Sequence, residues 1–520
     1  MQDISLLNSI IGPIMRGPSS SHSAAPYFIA RTIRHLALHS GEQLLSASIS
    51  FDPRGSFAQV YTNQGSDESF AAGLWGEEIT SPTYRAILPH LMEKSDFNLS
   101  FFVTELIPND HPNRVELRIE VLQQDGSTRS DLFKAISTGG GMFVIDHLNG
   151  APISITGGEH ILLLEGDSSV ITRLTQKNTL LTHAKIAPES TLSETTQFIV
   201  PSEFTDEQLY EFETVSGIHR ARFAPAVQLP VVSTDHIITS ATEVIATVQE
   251  GLADYALDCE TERLGMTNTE VRTAFRKRCQ LMLQTVRSSF SSDPTQNAMH
   301  FLSPSAAKMR TASIPSIIAN PFLQNASAAA IAAMEANANH EVVVAAPTAG
   351  SSGIVPGVLY ALSKEGVSLD KLTDALQVMA LTGALFAVRG SFAAETGGCA
   401  VETGASAAMA AAGLTYIGGG STEQVFQAAS LCIMNTLGLV CDPVGGEVEI
   451  PCHARNISAV AHAQSAALAV LSGFNAVMPF DELVDTTVEV GDLMHADLRC
   501  TARGGCAITP AACSLYKRSQ

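Results

Sequence analysis

The chain has 520 residues, 52 acidic against 31 basic, a net charge of −21 and a charged fraction of only 16%. That length implies two or three domains with ample core, and so acidic a surface repels nucleic acid and anionic membrane alike, leaving a small molecule as the natural ligand. The start lacks a basic segment followed by an apolar run, so no secretory signal is expected. The longest apolar stretch, 459–480, contains His462, Gln464 and Asn475 and is rich in alanine, so it reads as a buried helix rather than a membrane span. Nine cysteines, an odd number, suit a reducing compartment better than a disulfide framework, which places the protein in the cytosol.

Residues 1–150 alternate helical and strand patterns, as in an α+β domain. A triple-serine turn, Gly17-Pro-Ser-Ser-Ser-His22-Ser23, leads into a helix over 27–39. Residues 46–51 and 115–121 alternate apolar and polar side chains with period two, the mark of half-buried strands. Gly139-Gly-Gly141 marks a tight turn before a strand at 142–145. The lone Trp75 is expected to pack inside this domain.

From 151 to 237 the pattern changes to strands at 160–164 and 196–200 with a helix over 206–214. This order resembles a small βαββαβ regulatory module of the ACT type, with a packed spacer as the alternative. From 238 to 520 nearly everything reads as helix: 242–258, 269–289, 326–338, 369–387, 405–417, 422–437 and 457–471, with Ser240 and Ser421 or Thr422 as caps. Glycine and alanine at 345–357 and 395–420 permit close approach of helices and loops, as a pocket among packed helices requires.

Three cysteines in this all-α segment sit in glycine- or proline-bearing turns: Glu395-Thr-Gly-Gly-Cys399, Leu439-Val-Cys441-Asp-Pro443 and Ile450-Pro-Cys452-His453. Their spacing fits neither a zinc finger nor a compact ferredoxin run. Three thiolates are the soft ligand set of an iron–sulfur cluster with one iron left open; buried structural cysteines are the competing explanation. His340, His453, His462 and His495 are not spaced as a zinc set, and the two triple-glycine runs lack the lysine and spacing of nucleotide loops.

The phrases Ala345-Ala-Pro-Thr-Ala-Gly350-Ser-Ser-Gly353, Gly398-Cys399 with Glu402, Gly438-Leu-Val-Cys441-Asp-Pro-Val-Gly445, Val448-Glu-Ile-Pro-Cys452 and Arg455-Asn456 closely resemble the catalytic domain of iron–sulfur L-serine dehydratases. The triple-serine-histidine turn, and His111-Pro-Asn113, resemble that family's first domain, in the same order. The resemblance implies an ammonia-lyase that converts L-serine to pyruvate and ammonia, with Cys399, Cys441 and Cys452 holding a 4Fe-4S cluster. An open iron would act as a Lewis acid on the substrate hydroxyl and would make the enzyme oxygen-sensitive. It further implies a homodimer and a small amino-acid substrate, with neither nucleic acid nor membrane as partner.

Within that reading His22 is the residue expected to act at the substrate, as proton acceptor or as hydrogen-bond donor. Ser19, Ser20 and Ser21 are expected to grip the carboxylate, with Ser66, Asp67 and Asn456 as further substrate contacts and Arg455 as an anchor for carboxylate or sulfide. Glu402 should face the cluster three residues beyond Cys399. The reaction requires the two end domains to meet. The chain departs from the family pattern at Gln64, where a histidine is usual, at Ala400, at Ala454 and at Ser352. Those changes keep open a related lyase acting on another β-hydroxy or β-thiol acid. Cys500, Cys506 and Cys513 offer a possible fourth thiolate from the tail, and with it a non-catalytic sensor.

Overall fold

The structure, a computed structural model, describes residues 4–94, 96–107, 111–181, 184–186, 194–232, 239–293, 295 and 297–519. The described residues fall into two compact units: those up to Ser20 together with those from Val232 onward, and Ser21–Val231. Residues 4–20 thus belong with the helical part of the chain. The expected boundary at 237 lies outside the described residues.

In the Ser21–Val231 unit, six strands form a mixed sheet in the order Asn98–Val103, Gln43–Phe51, Arg114–Leu122, Thr128–Gly139, Met142–Leu148 and Ala151–Ile155. Only the first pair is parallel. Val115, Leu117, Ile119 and Val121 all point to the buried face, so the period-two pattern did report the sheet. Helix Ala25–Ala37 packs against helix Ser66–Trp75 so closely that a Cβ on Gly73 would lie 2.6 Å from that of Ala30. Trp75, expected inside, lies half-exposed at the end of that helix with its ring edge against His90.

Strands His160–Gly166, Lys185–Ile186, Thr195–Val200 and Ile218–Ala224, with helices Ser168–Lys177 and Asp206–Glu213, complete this unit in βαββαβ order. The sheet runs fourth, first, third, second, each adjacent pair antiparallel, which is the split-βαβ arrangement. Its core gathers Leu162, Leu164, Phe198, Leu209, Phe212 and Phe223. Helix Ser168–Lys177 was not anticipated; Asp167, whose carboxylate accepts from Ser169 N at 2.7 Å, caps it. Arg222 joins the two sheets from the interior, donating to both oxygens of Asp131 at 2.8 and 2.9 Å and to the Leu36 carbonyl at 3.1 Å.

In the other unit, helices Ile354–Lys364, Leu369–Arg389, Thr422–Met434 and Cys452–Leu471 pack against Thr403–Ile417, which is buried along most of its length, and Asn268–Ser289 and Pro321–Ala338 pack on that layer. Ser421 and Ser240 cap as expected, accepting from Gln424 N and Glu243 N. The single helix expected over 242–258 is two, Ala241–Thr247 and Leu252–Leu264, because Gly251 adopts a left-handed φ of 72°. The 459–480 stretch is likewise not one buried helix: the helix ends at Leu471 and Phe474, Val477 and Met478 are exposed. Among the described residues one helix, Leu369–Arg389, is long and apolar enough to cross a bilayer, and 78% of its apolar window is buried inside the protein.

The N-terminal residues are tied into this unit twice. Strand Ile14–Arg16 pairs antiparallel with Val342–Val344. The buried carboxylate of Glu260 accepts from Ser5 Oγ at 2.6 Å, Leu6 N at 2.8 Å and Leu7 N at 3.0 Å.

Candidate metal centre and a buried histidine site

Cys399 lies in a short 3₁₀ turn, Gly398–Ala400, just before helix Thr403–Ile417. Gly398 has φ 67°, and a Cβ there would meet the Leu439 carbonyl at 2.6 Å, so only glycine lets this turn close on the Leu439–Cys441 segment. Ala400 N donates to the same carbonyl at 3.1 Å. Cys441 is fixed by the tail: its N–H donates to Leu498 O and its carbonyl accepts from Cys500 N, both at 2.8 Å. Cys452 opens helix Cys452–Leu471, where the helix N-terminus favours a thiolate.

One ligand atom each of Cys399, Glu402 and Cys441 lie within 4.8 Å of one another. Cys452 is near enough that the negative charges of Cys399 and Glu402 act on its thiol. Hydrogen bonding from Cys441, and then the Arg455 guanidinium working against burial, lower the Cys399 thiol to about 7. Burial, followed by the neighbouring negative charges, holds Cys452 well above its ordinary value, and the contacts with Cys399 and Cys500 do the same for Cys441. Glu402 is also raised, by burial and then by Cys399, while the Thr348 hydroxyl opposes the shift. Crowded thiols that resist joint ionisation are a donor set that a bound cationic centre would relieve, so the residues fit a thiolate-held metal group.

Several polar groups around the thiols are hydrogen-bonded to one another. Arg455 Nη1 donates to Cys399 Sγ at 3.2 Å and its Nη2 to Asp442 Oδ1 at 2.6 Å. The other Asp442 oxygen accepts from Cys506 N at 2.6 Å, which staples the tail beside the site. Asn456, expected at the substrate, is fully buried, and its side chain binds backbone: Gly353 N donates to it at 3.0 Å, and its amide donates to Gly350 O at 2.9 Å and Cys452 O at 2.8 Å. It thereby clamps the 348–353 turn to the start of the Cys452 helix. Ser352, where the family pattern has a cysteine, donates to Ala349 O at 2.7 Å. Of the tail cysteines, Cys500 reaches the Cys441 thiol, Cys506 is bound through Asp442, and Cys513 lies exposed on helix Pro510–Ser519. All nine cysteines are free thiols.

In the Ser21–Val231 unit, His22 is buried in the single turn Ser20–Ala24 that runs into helix Ala25–Ala37. Its Nε2 is 2.9 Å from Ser56 Oγ, and the Ser56 hydroxyl donates to Asn113 Oδ1. The Ser56 hydroxyl thus links the His22 ring to Asn113 in one short hydrogen-bond chain. The ring stands edge-on to Phe57, centroids 4.9 Å apart. Burial lowers its pKa to about 4, so the imidazole is neutral. Ser66, expected at the substrate, donates to the His22 carbonyl at 2.5 Å, and Asp67, one residue on, accepts from Glu68 N at 2.8 Å at the start of the same helix. Gln64 is buried just before that helix. Ser20 is buried; Ser19 and Ser21 are partly exposed.

Ser56 and Asn113 were not assigned from sequence, although both lie in the phrases Gly55-Ser-Phe-Ala58 and His111-Pro-Asn113. Asp442 was missed as well; its signal was adjacency to Cys441 alone.

Residues 210–507 match the family model for the serine dehydratase alpha chain. The L-serine dehydratase alpha chain of Peptoniphilus asaccharolyticus is 38% identical over 280 residues, covering 52% of this chain and 94% of that one. A probable L-serine dehydratase alpha chain of Bacillus subtilis (strain 168) is 37% identical over 202 residues, 39% of this chain and 67% of its own length. L-serine dehydratase 1 of Escherichia coli (strain K12) is 40% identical over 182 residues, 34% of this chain and 40% of that relative.

Proposed function

Because the chain belongs to the serine dehydratase alpha chain family, we propose that it is an L-serine dehydratase, an ammonia-lyase that takes L-serine to pyruvate and ammonia in the cytoplasm. The observation that carries this is the gathering of Cys399 and Cys441 with Glu402, backed by Cys452 and Arg455, at the positions where the family phrases stand.

Cys399, Cys441 and Cys452 would hold a 4Fe-4S cluster. Bound there, a cluster with one iron lacking a protein ligand supplies a Lewis acid for the departing hydroxyl, which is otherwise a very poor leaving group. The chain's own residues do the rest. Arg455 steadies Cys399 as a thiolate through one N–H and is itself aimed by Asp442 through the other. Asn456 holds the 348–353 turn against the Cys452 helix, so that the loop around the thiols is rigid. His22, kept neutral by burial, takes the Cα proton; Ser56 is hydrogen-bonded to its ring, and Phe57 and Ser66 fix its ring and backbone. Ser19, Ser20 and Ser21 receive the substrate carboxylate, with Asp67 nearby in sequence to Ser66 as a further contact. Loss of the Cα proton and of the hydroxyl as water leaves 2-aminoacrylate, which tautomerises to the imine and adds water to give pyruvate and ammonia.

The βαββαβ module is proposed to be ACT-like and regulatory, a reading supported by its strand order. Cys500, whose thiol contacts that of Cys441, is our candidate for a fourth thiolate, one that would close the open iron in the non-catalytic alternative.

Anaerobic purification with iron and sulfide analysis, followed by pyruvate assays on L-serine, L-threonine, L-cysteine and D-serine, tests the assignment. Roughly four irons per chain and turnover of L-serine are expected. A brown protein inert toward serine refutes the substrate, and a colourless one after reconstitution refutes the metal chemistry.

A further inference from the structure

On helix Asn268–Ser289, Gln280, Leu283, Gln284, Arg287 and Ser288 follow one another at three- and four-residue steps and so form one stripe. Only Leu283 among them is apolar. The stripe beside it, with Phe275, Cys279, Met282 and Val286, is the one buried where this helix packs on its neighbours. The polar stripe stands off from them, and a cavity of about 730 Å³ opens between it, Ser363 and Val367, and the start of helix Leu369–Arg389.

The chemistry of the walls is uneven. Leu283 and Leu372, both buried, form an apolar side with Val367 and Leu369. Arg287 is the one charged side chain lining the space among the described residues. In a chain with 52 acidic residues against 31 basic, no carboxylate lines it there. The Arg287 guanidinium, exposed at the rim, has neither a hydrogen bond nor an ion pair among the described residues. Asp370, next to Leu369, is already bonded to Arg276 and does not compete for Arg287. The first turn of the 21-residue helix Leu369–Arg389 adds the positive end of its dipole.

We propose that this cavity is a binding site for an aliphatic monocarboxylate, with the headgroup between Arg287 and the start of helix Leu369–Arg389 and the chain along Leu283, Val367 and Leu372. One cation without an acidic neighbour in the lining selects a single negative charge. No aromatic ring lines the wall among the described residues, so a flat ligand finds nothing to stack on, whereas a flexible chain lies along leucine and valine. The volume corresponds to about 24 waters at about 30 Å³ each, room for a chain of about ten carbons with its carboxylate. The site is separate from the thiols. Helix Ile354–Lys364 starts at Gly353, whose N–H is held by Asn456, and reaches the cavity at Ser363, about 15 Å further along its axis. Its readout is binding, which keeps it independent of the catalytic assignment.

Isothermal titration calorimetry of the full chain with sodium decanoate, below its micellar range, is expected to show one saturable site per chain. Decanol, with the same chain and no charge, should bind about tenfold more weakly, as should decanoate to Arg287→Gln, since each change removes a charged hydrogen bond. Val367→Asp, which sets a carboxylate in the wall, should abolish binding. Ile317→Asp alters a side chain that is 91% exposed and does not line the cavity, and should leave binding unchanged. Circular dichroism checks that each variant is folded. Absence of saturable binding to the wild type overturns the proposal. So does decanol binding as tightly as decanoate, or unchanged decanoate binding in folded Arg287→Gln and Val367→Asp. Loss of binding in Ile317→Asp overturns it as well, because decanoate would then sit on the exposed surface.

Discussion

Replacing Arg455 by lysine keeps the charge beside Cys399 but removes the fork. The guanidinium spans two acceptors, Cys399 Sγ at 3.2 Å and Asp442 Oδ1 at 2.6 Å, and a single ammonium cannot serve both in that geometry. A hydrogen bond involving a charged group contributes about 1.5–3 kcal/mol. Losing one of the two should therefore speed release of iron from the reconstituted protein about 10- to 100-fold, since about 1.4 kcal/mol is a factor of ten. The assay is anaerobic transfer of iron to a chromogenic ferrous chelator, followed with the decay of visible absorbance. Asp442→Asn should produce a similar acceleration. Because the two residues form one network, the double variant should fall well short of the product of the single effects. Release from Arg455→Lys at the wild-type rate would refute the idea that this guanidinium secures Cys399.

His22→Ala should lower kcat for L-serine about 10²- to 10⁴-fold with iron content unchanged, as checked by iron analysis beside the pyruvate assay. The base works only when unprotonated, so activity limited by His22 is lost as pH falls through its lowered value of about 4; an acid limb in kcat/KM that follows His22 and lies near 6.5 would contradict its burial. At Asp131, burial acts to raise the pKa but the Arg222 charge and hydrogen bonds outweigh it, lowering it from 3.8 to about 2. Its contribution to stability, about 2 kcal/mol by linkage, is present above pH 4 and is lost as pH falls toward 2. Thermal melts across that range should follow this loss, and Asp131→Ala, which removes the bidentate partner of buried Arg222 and leaves Glu165 as its ion-pair partner, should cost about 3 kcal/mol in denaturant titrations. Gly398→Ala should fold but bind little iron, because its Cβ would displace the Leu439 carbonyl that aligns the Cys399 and Cys441 turns.

The parts of the molecule most legible in the sequence were those governed by local periodicity and capping. Residues 115–121 alternate because one sheet face is buried, and Ser240 and Ser421 cap because their hydroxyls complete the first helical turn. The break at Gly251 was legible too, as a glycine in a helical pattern, but was overridden by the apolar spacing on either side. Cys399, Cys441 and Cys452 stood out through their turns and neighbouring phrases, and the structure gathers Cys399 and Cys441 with Glu402. The roles of Asn456 and Ser66 were not readable, because both are decided by which distant backbone group lies opposite the side chain: Gly350 and Gly353 for one, the His22 carbonyl for the other. Asp442 depends in the same way on Arg455 and on the tail at Cys506.

The pairing of Ile14–Arg16 with Val342–Val344 has a consequence for biosynthesis. Ile14 leaves the ribosome some 330 residues before its partner Val344, which at about 5–20 residues per second is a delay of roughly 16 to 66 seconds. During that interval the whole Ser21–Val231 unit has emerged and can fold, while the leading residues still lack both their strand partner and, until Glu260 appears, the carboxylate that binds Ser5, Leu6 and Leu7. Residues 5–16 are thus made well before the partners that hold them. A nascent chain arrested near residue 300 would present them as an unpaired apolar strand, open to chaperones and proteases.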